Sequence, residues 1–214
     1  MKKFAVIIAG CGVFDGAEIH EATMTLYAIT KYGGTYEIFA PDIDQHHVIN
    51  HLTGKEMPET RNVLIEAARL ARGKINNLAD FNADNFDCLV LPGGFGVAKN
   101  LSSFAFDGEA CTIDLTVEQA VLAMVKRNKP IGALCIAPVI LAKLLKGALV
   151  TIGNDKNTIS KIEKMGSKHQ VTTHGEIVVD EMLKLATTPC YMLDANIVQI
   201  AKGAKKLIKH MLKM

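Results

Sequence analysis

Short apolar runs alternate with longer amphipathic stretches along the chain. Residues 4–9, 36–40, 87–91, 130–135 and 148–152 are dense in Val, Ile, Leu, Ala and Phe and predict strands. Apolar positions at helical spacing fall near 18–31, 60–72, 116–128, 137–146, 156–165 and 194–212. Strands separated by helix-length segments imply right-handed βαβ crossovers and a parallel sheet. Ala5-Val-Ile-Ile, Cys88-Leu-Val-Leu and Ile131-Gly-Ala-Leu carry no charge, as strands covered on both faces require. Near 169–188 the pattern changes. His169-Gln-Val-Thr-Thr, Ile177-Val-Val-Asp and Lys184-Leu-Ala-Thr-Thr read as short strands joined by turns. The predicted architecture is a doubly wound, mainly parallel α/β sheet in a single domain, 1–214, with a small antiparallel hairpin near 169–188. Segments 41–60 and 99–115 are polar and irregular, and read as long surface connections or site walls. At the end of the chain, Ile200, Ala204, Leu207, Ile208 and Met211 form one stripe of an amphipathic helix whose other face is lysine-rich.

Composition narrows the function classes. With 49% hydrophobic and 21% charged residues, 214 residues are enough for a sizeable core, and a disordered or low-complexity chain is excluded. Aromatics are scarce (6%, no Trp) and the formal charge is only +2, so neither a base-stacking platform nor a nucleic-acid or membrane partner is called for. The longest uncharged run, Pro130 to Ala142, is thirteen residues, short of the roughly 18 that span a bilayer. Lys2 and Lys3 precede six apolar residues, and Ile8-Ala-Gly-Cys11 resembles a lipoprotein box. An h-region needs about 7–15 residues, so this stretch reads as a buried first strand. Cysteines stand at 11, 88, 111, 135 and 190, an odd and widely spaced set without a C-x-x-C. That argues against disulfides and zinc and for a reducing, cytoplasmic setting.

Ligands of open α/β sheets bind beyond the carboxyl ends of the strands, and three such ends are chemically distinctive. In Gly132-Ala-Leu-Cys-Ile-Ala-Pro138 an apolar strand runs into Cys135 and a helix follows at once. Ala133 and Ala137, two residues to either side, suit the tight turn of a nucleophile elbow. The helix dipole and free N–H groups there predict a lowered thiol pKa. Cys11, Cys88, Cys111 and Cys190 lack such neighbours and read as core thiols. Leu91-Pro-Gly-Gly-Phe-Gly96 exposes unshielded N–H groups able to bind an oxyanion. Gly10, Gly12 and Gly16 spell G-x-G-x-x-x-G between a strand and a helix, close to a dinucleotide-binding fingerprint, with Asp42 placed to hold a ribose. Asp15 and Glu18 would repel a pyrophosphate at that helix start. Alternatively the same helix aims a carboxyl group at the site, from Glu18 or Glu21, which lie three apart.

Together Gly10-Cys-Gly-Val-Phe-Asp-Gly-Ala-Glu-Ile-His-Glu21, Leu91–Gly96 and Ala133-Leu-Cys-Ile-Ala-Pro138 resemble the PfpI-like superfamily, whose fold is flavodoxin-like and similar to class I glutamine amidotransferases. Asn50-His-Leu-Thr-Gly54, Thr60-Arg-Asn-Val-Leu-Ile-Glu-Ala-Ala-Arg69 and Thr187-Thr-Pro189 further resemble its ElbB group, linked to isoprenoid biosynthesis and described as glyoxalase. The resemblance spans nearly the whole chain. It implies a nucleophile at Cys135, a partner carboxyl at Glu21, and oxyanion-binding backbone at Gly93, Gly94 and Ile136. Members with a peptidase-like triad carry a histidine where this chain reads Thr151-Ile-Gly-Asn-Asp155, so imidazole-activated peptidase or amidotransferase chemistry is not expected. The implied activity is a glutathione-independent glyoxalase or deglycase acting on a small 2-oxoaldehyde without metal or other cofactor, in a homodimer by analogy. Two alternatives stand beside it: a non-catalytic redox sensor or chaperone-like protein that keeps the elbow, and an NAD(P)-binding protein using Gly10, Gly12 and Gly16. His46, His47 and His51 read as loop or site wall rather than metal ligands. His20 reads as structural, and nothing in the sequence brings His169 or His174 to Cys135.

Overall fold

The computed structural model describes all 214 residues. Its apolar runs form one seven-stranded sheet. The strands in chain order are β1 (Lys3–Ile7), β2 (Thr35–Ala40), β3 (Ile49–Asn50), β4 (Lys55–Glu56), β5 (Asn76–Asn77), β6 (Cys88–Leu91), β7 (Ile131–Leu134), β8 (Leu149–Val150), β9 (Lys168–His169), β10 (Val178–Asp180) and β11 (Leu185–Thr188). The sheet runs β10-β11-β7-β6-β1-β2-β5, parallel throughout except where β10 turns back on β11. The α-helices are α1 (Ile19–Lys31), α2 (Val63–Leu70), α3 (Phe95–Lys99), α4 (Phe104–Asp107), α5 (Leu115–Lys126), α6 (Pro138–Leu144), α7 (Lys156–Lys164) and α8 (Ile197–Met211). None is long and apolar enough to cross a membrane.

Strand alternation sorts side chains between two cores. Phe4, Val6 and Ile8 pack with Ile29 of α1 and with Leu207 and Met211 of α8. Ala5, Ile7 and Ala9 face the other way, with Leu89, Leu91, Met124 of α5 and Ile140 of α6. The predicted stripe of α8 is fully buried. A capping box between Asn196 and Gln199 starts that helix.

Three sequence expectations change. Residues 148–152 do not join the main sheet: β8 pairs only with β9, in parallel. The chain leaves the ladder there because side chains take its N–H groups. Thr151 N–H donates to Thr187 Oγ1 at 2.9 Å, and Ile152 N–H to His169 Nε2 at 3.1 Å. The antiparallel hairpin is confined to β10 and β11, while His169 belongs to β9. Segment 41–60 holds its own hairpin, β3–β4, and segment 99–115 holds α4, both too short to leave a periodic signal.

Leu207 is fully buried between α8 and the sheet, and its side chain fills the space above Gly132. Leu207→Ala is expected to cost about 2–5 kcal/mol, read as a lowered urea midpoint with an unchanged m-value.

Candidate active site

Strands β1, β6, β7 and β11 are parallel neighbours, so their carboxyl ends open on one edge of the sheet. Cys135 follows β7 with φ +59°, a left-handed conformation that costs a non-glycine residue on the order of 1–3 kcal/mol. Its N–H donates to Thr188 O at 2.9 Å, which ties the turn to β11. The turn feeds α6 through Pro138 at the helix start, as the elbow pattern predicts. Ile136 N–H has no partner within the chain and stays free beside the thiol.

The glycine pair after β6 has two separate reasons. A Cβ on Gly93 would lie 2.4 Å from Cys135 Cβ and 2.6 Å from Glu21 Oε2, so only a bare backbone fits. Gly94 has φ +104°, and a Cβ there would lie 2.3 Å from Glu18 N. The two N–H groups go to different places. Gly94 N–H has no hydrogen-bond partner in the chain and lies near the Cys135 sulfur. Gly93 N–H instead donates to Glu21 Oε2 at 3.1 Å, so Gly93 is not a free oxyanion donor, contrary to expectation. The donors left for an oxyanion are Gly94 and Ile136.

Glu21 is fully buried on the first turn of α1 and stands beside the Cys135 thiol. Its second oxygen, Oε1, accepts Tyr191 N–H at 3.1 Å. Glu18 lies just before the helix, and its Oε2 caps Glu21 N–H at 2.7 Å. The structure therefore divides the roles that spacing alone left open: Glu18 caps, and Glu21 meets the thiol. Burial first, and then the Glu18 carboxylate, raise Glu21 to about 8, against the pull of the two backbone N–H donors. At neutral pH it is mainly a carboxylic acid. Burial, and secondarily Glu21, push the Cys135 thiol well up. This reverses the lowered thiol pKa expected from the helix dipole, because α6 is only seven residues long and the sulfur is out of water. The resting pair is neutral.

Cys135 lies in the wall of a cavity of about 440 Å³, with Phe95, Phe104 and Met192 as apolar wall and Glu18, Tyr191 and Lys161 as polar groups. A larger groove of about 660 Å³ runs along β2, between Leu26, Tyr36 and Arg72, but it holds no thiol or histidine. The chemistry therefore points to the smaller cavity.

Other residues singled out by the sequence fall elsewhere. A Cβ at Gly16 would lie 2.4 Å from Cys11 N, Asp15 Oδ2 accepts Ile49 N–H at 2.6 Å, and Glu18 fills the start of α1. The loop is closed by its own contacts and offers no seat for a pyrophosphate, which removes the dinucleotide reading of Gly10, Gly12 and Gly16. Asp42 accepts from Asn62 Nδ2. His46 packs against His47 and Phe106, while His51 Nε2 accepts Phe14 N–H at 3.2 Å. His174 bonds Asp194 O at 2.9 Å. Cys88, Cys111 and Cys190 are buried as expected, whereas Cys11 is half-buried. One residue of this site, Tyr191, was missed by sequence reasoning. Cys190, at φ +44°, turns the chain after β11, and Tyr191 follows it into the cavity wall. His20, read as merely structural, has its Nδ1 2.8 Å from Tyr191 Oη. The available signal was that β11 is a fourth strand ending at this edge.

A cysteine on a left-handed strand-to-helix turn, beside a buried glutamic acid and free backbone donors, defines a nucleophile-elbow protein on a glutamine amidotransferase-like sheet. Residues 11–198 match the DJ-1/PfpI family, and the chain belongs to it. A rat protein named "ES1 protein homolog, mitochondrial" is 42% identical over 99% of this chain and 84% of its own length. A crystal structure from Ehrlichia chaffeensis, described as an isoprenoid biosynthesis protein with amidotransferase-like domain, is 35% identical. It superimposes with a TM-score of 0.94 over 100% of this chain and 99% of that one. Glyoxalase III from Candida albicans shares the fold at 14% identity and a TM-score of 0.66, covering 99% of this chain and 96% of that one. The rat name corrects the expectation of a cytoplasmic protein. Unpaired cysteines indicate reducing surroundings, and those are not peculiar to the cytosol.

The raised Glu21 makes stability depend on pH with a definite sign. Between its ordinary 4.5 and about 8, the folded chain holds a proton that the unfolded chain has released. The contribution is therefore complete below 4.5 and is lost as pH rises through 8, at a slope of about 1.4 kcal/mol per pH unit. Urea unfolding from pH 5 to 8.5 is expected to show this decline in the wild type and a flatter profile in Glu21→Gln. Gly93→Ala is expected to cost about 1–3 kcal/mol and to slow alkylation of Cys135, measured by peptide mass spectrometry.

Proposed function

We propose that this chain is a cysteine-dependent, glutathione-independent glyoxalase that converts glyoxal, and methylglyoxal, to the 2-hydroxy acid, glycolate or lactate. The observation that carries the reading is Cys135, on its left-handed turn in the cavity wall, with Glu21 and the N–H groups of Gly94 and Ile136 around it. The ElbB-like motifs at 50–54, 60–69 and 187–189 support the same assignment within the family.

The chemistry suits a neutral thiol–carboxyl pair. In the minor ionised form, Glu21 takes the thiol proton as sulfur adds to the aldehyde carbon C1. The carbonyl electron pair moves to oxygen between Gly94 and Ile136 N–H, and Glu21 returns the proton to that oxygen. The product is a hemithioacetal. Glu21 carboxylate then takes the C1 proton and delivers it to C2, giving a thioester of the 2-hydroxy acid. Water cleaves the C–S bond, restoring the thiol and releasing the acid. Every step is redox-neutral and needs no histidine base. Hemithioacetals also form from early glycation adducts, so deglycase activity would rest on the same residues.

In glutathione-free, amine-free buffer, the wild type is expected to consume glyoxal with glycolate as product, and Cys135→Ala to consume none. Glu21→Ala is expected to lose about 10²–10⁴-fold in kcat. Turnover retained by Cys135→Ala would overturn the assignment. Selective peroxide oxidation of Cys135 in a protein that shows no turnover would favour the redox-sensor reading.

A further inference from the structure

The glyoxalase reading leaves one proton without a carrier. Converting a hemithioacetal into a thioester moves a hydrogen from C1 to C2 and a second proton from the C1 hydroxyl to the C2 oxygen. Glu21 accounts for the carbon-bound hydrogen. Its carboxyl is held by Gly93 N–H and Tyr191 N–H, and while it carries that hydrogen it cannot also shuttle the hydroxyl proton, so a second group serves the oxygens in this step. We infer that the Tyr191 hydroxyl, positioned by His20, carries that second proton and is a catalytic residue of the reaction.

The geometry converges on this residue from three directions. Tyr191 lines the same cavity as Cys135 and Ile136. Its backbone N–H fixes Glu21, so its position relative to the carboxyl is set by a hydrogen bond. Its phenol oxygen sits 2.8 Å from His20 Nδ1 on α1, one residue before Glu21. The Glu18 carboxylate stands 3.9 Å from the same imidazole nitrogen. The chain thus supplies a histidine from the first helix, although none stands within 151–155. Partial burial raises the phenol above its ordinary value, which keeps it protonated and able to donate.

The step balances without an outside reagent, and it rests on the glyoxalase reading. As Glu21 removes the C1 proton, the C–H pair becomes the C1–C2 double bond and the C2 carbonyl pair moves to oxygen. Tyr191 donates its hydroxyl proton to that oxygen and takes the proton of the C1 hydroxyl. Glu21 then protonates C2, the C1–C2 pair forms that bond, and the C1 oxygen becomes the thioester carbonyl. Both Glu21 and Tyr191 end as they began. His20 touches no reacting atom and is a positioning residue.

The test separates addition from isomerisation. Glyoxal bound as the hemithioacetal protects Cys135 from iodoacetamide, whereas glycolate formation reports the whole sequence. Tyr191→Phe keeps the backbone N–H on Glu21. It is expected to retain wild-type protection while glycolate formation falls about 100-fold or more. His20→Ala is expected to lower kcat about 10-fold with KM unchanged, and His20→Gln to recover part of the loss. Melting temperatures within two degrees or so of wild type exclude unfolding as the cause. If Tyr191→Phe turns over within about twofold of wild type, the inference falls and the glyoxalase reading stands. If Tyr191→Phe loses protection and turnover together, Tyr191 acts in addition and the inference is overturned. A wild type that makes no glycolate overturns both.

Discussion

The carboxyl of Glu21 is where four separate parts of the chain meet. It leaves α1, accepts an N–H from the turn after β6 and another from the turn after β11, and stands against the thiol that follows β7. A carboxyl group this deeply buried is costly unless its oxygens are satisfied or it holds a proton. Both conditions are met here. The two N–H donors come from strand ends that would otherwise point unpaired backbone into a dry space. Glu21 therefore completes the hydrogen bonding of the turns as well as meeting the thiol, and its position cannot change without disturbing both. That constraint explains why the glycine before Gly94 has no side chain. Any Cβ at Gly93 would stand between the carboxyl and Cys135.

The same edge of the sheet concentrates unusual backbone. Cys135 and Cys190 both have positive φ, and Gly94 sits where only glycine is comfortable. Such conformations persist because neighbouring strands over-determine them. Thr188 O receives the Cys135 N–H, while the Thr188 side chain bonds Glu176 O at 2.7 Å, so β11 braces the elbow from one side. Strands β7 and β6 brace it from the other, in register from Leu89 to Leu91. Cys135 is thus held by a rigid sheet edge. The segments that the sequence marks as long and polar, 41–60 and 99–115, contribute at most Phe104 and Ala105 to the cavity wall.

Much of this was legible in the sequence for a simple reason: buried strands and amphipathic helices must show their burial as pattern. The uncharged runs of β1, β6 and β7 and the stripe of α8 say where they pack. Cys135 was legible because an elbow restricts its neighbours to small residues, and Ala133 and Ala137 obey that rule. Residues whose role depends on a distant partner were not. Glu18 and Glu21 share a helix face, and spacing could not say which one faces the thiol. That depends on where β6 and β11 end. Gly93 and Gly94 look equivalent in a Gly-Gly pair, yet one N–H serves Glu21 and the other is left unpartnered. Tyr191 and His20 lie 171 positions apart and meet only because β11 runs parallel to β7 and brings its end beside α1. Two-residue strands such as β5 and β8 leave no period to read. The cysteine count reports redox conditions and not an address, which is why the compartment was misjudged.

Glu18 gives the site its last distinctive property. Helices most often start on Ser, Thr, Asp or Asn, whose short side chains reach the first free N–H groups. Here a glutamate does the capping, and the N–H it caps belongs to Glu21. A serine would satisfy that N–H equally well but would bring no charge. The Glu18 carboxylate adds like-charge repulsion to burial and so favours the protonated form of Glu21. A protonated Glu21 in turn leaves the thiol without a strong base beside it. Thiolate is then scarce at rest. A histidine-based triad keeps a competent base beside its nucleophile at all times, and this arrangement does not. A resting thiol is the less vulnerable state, since oxidation and alkylation both proceed through thiolate. The capping residue of the first helix thus links local helix chemistry to the reactivity of a cysteine more than a hundred residues away.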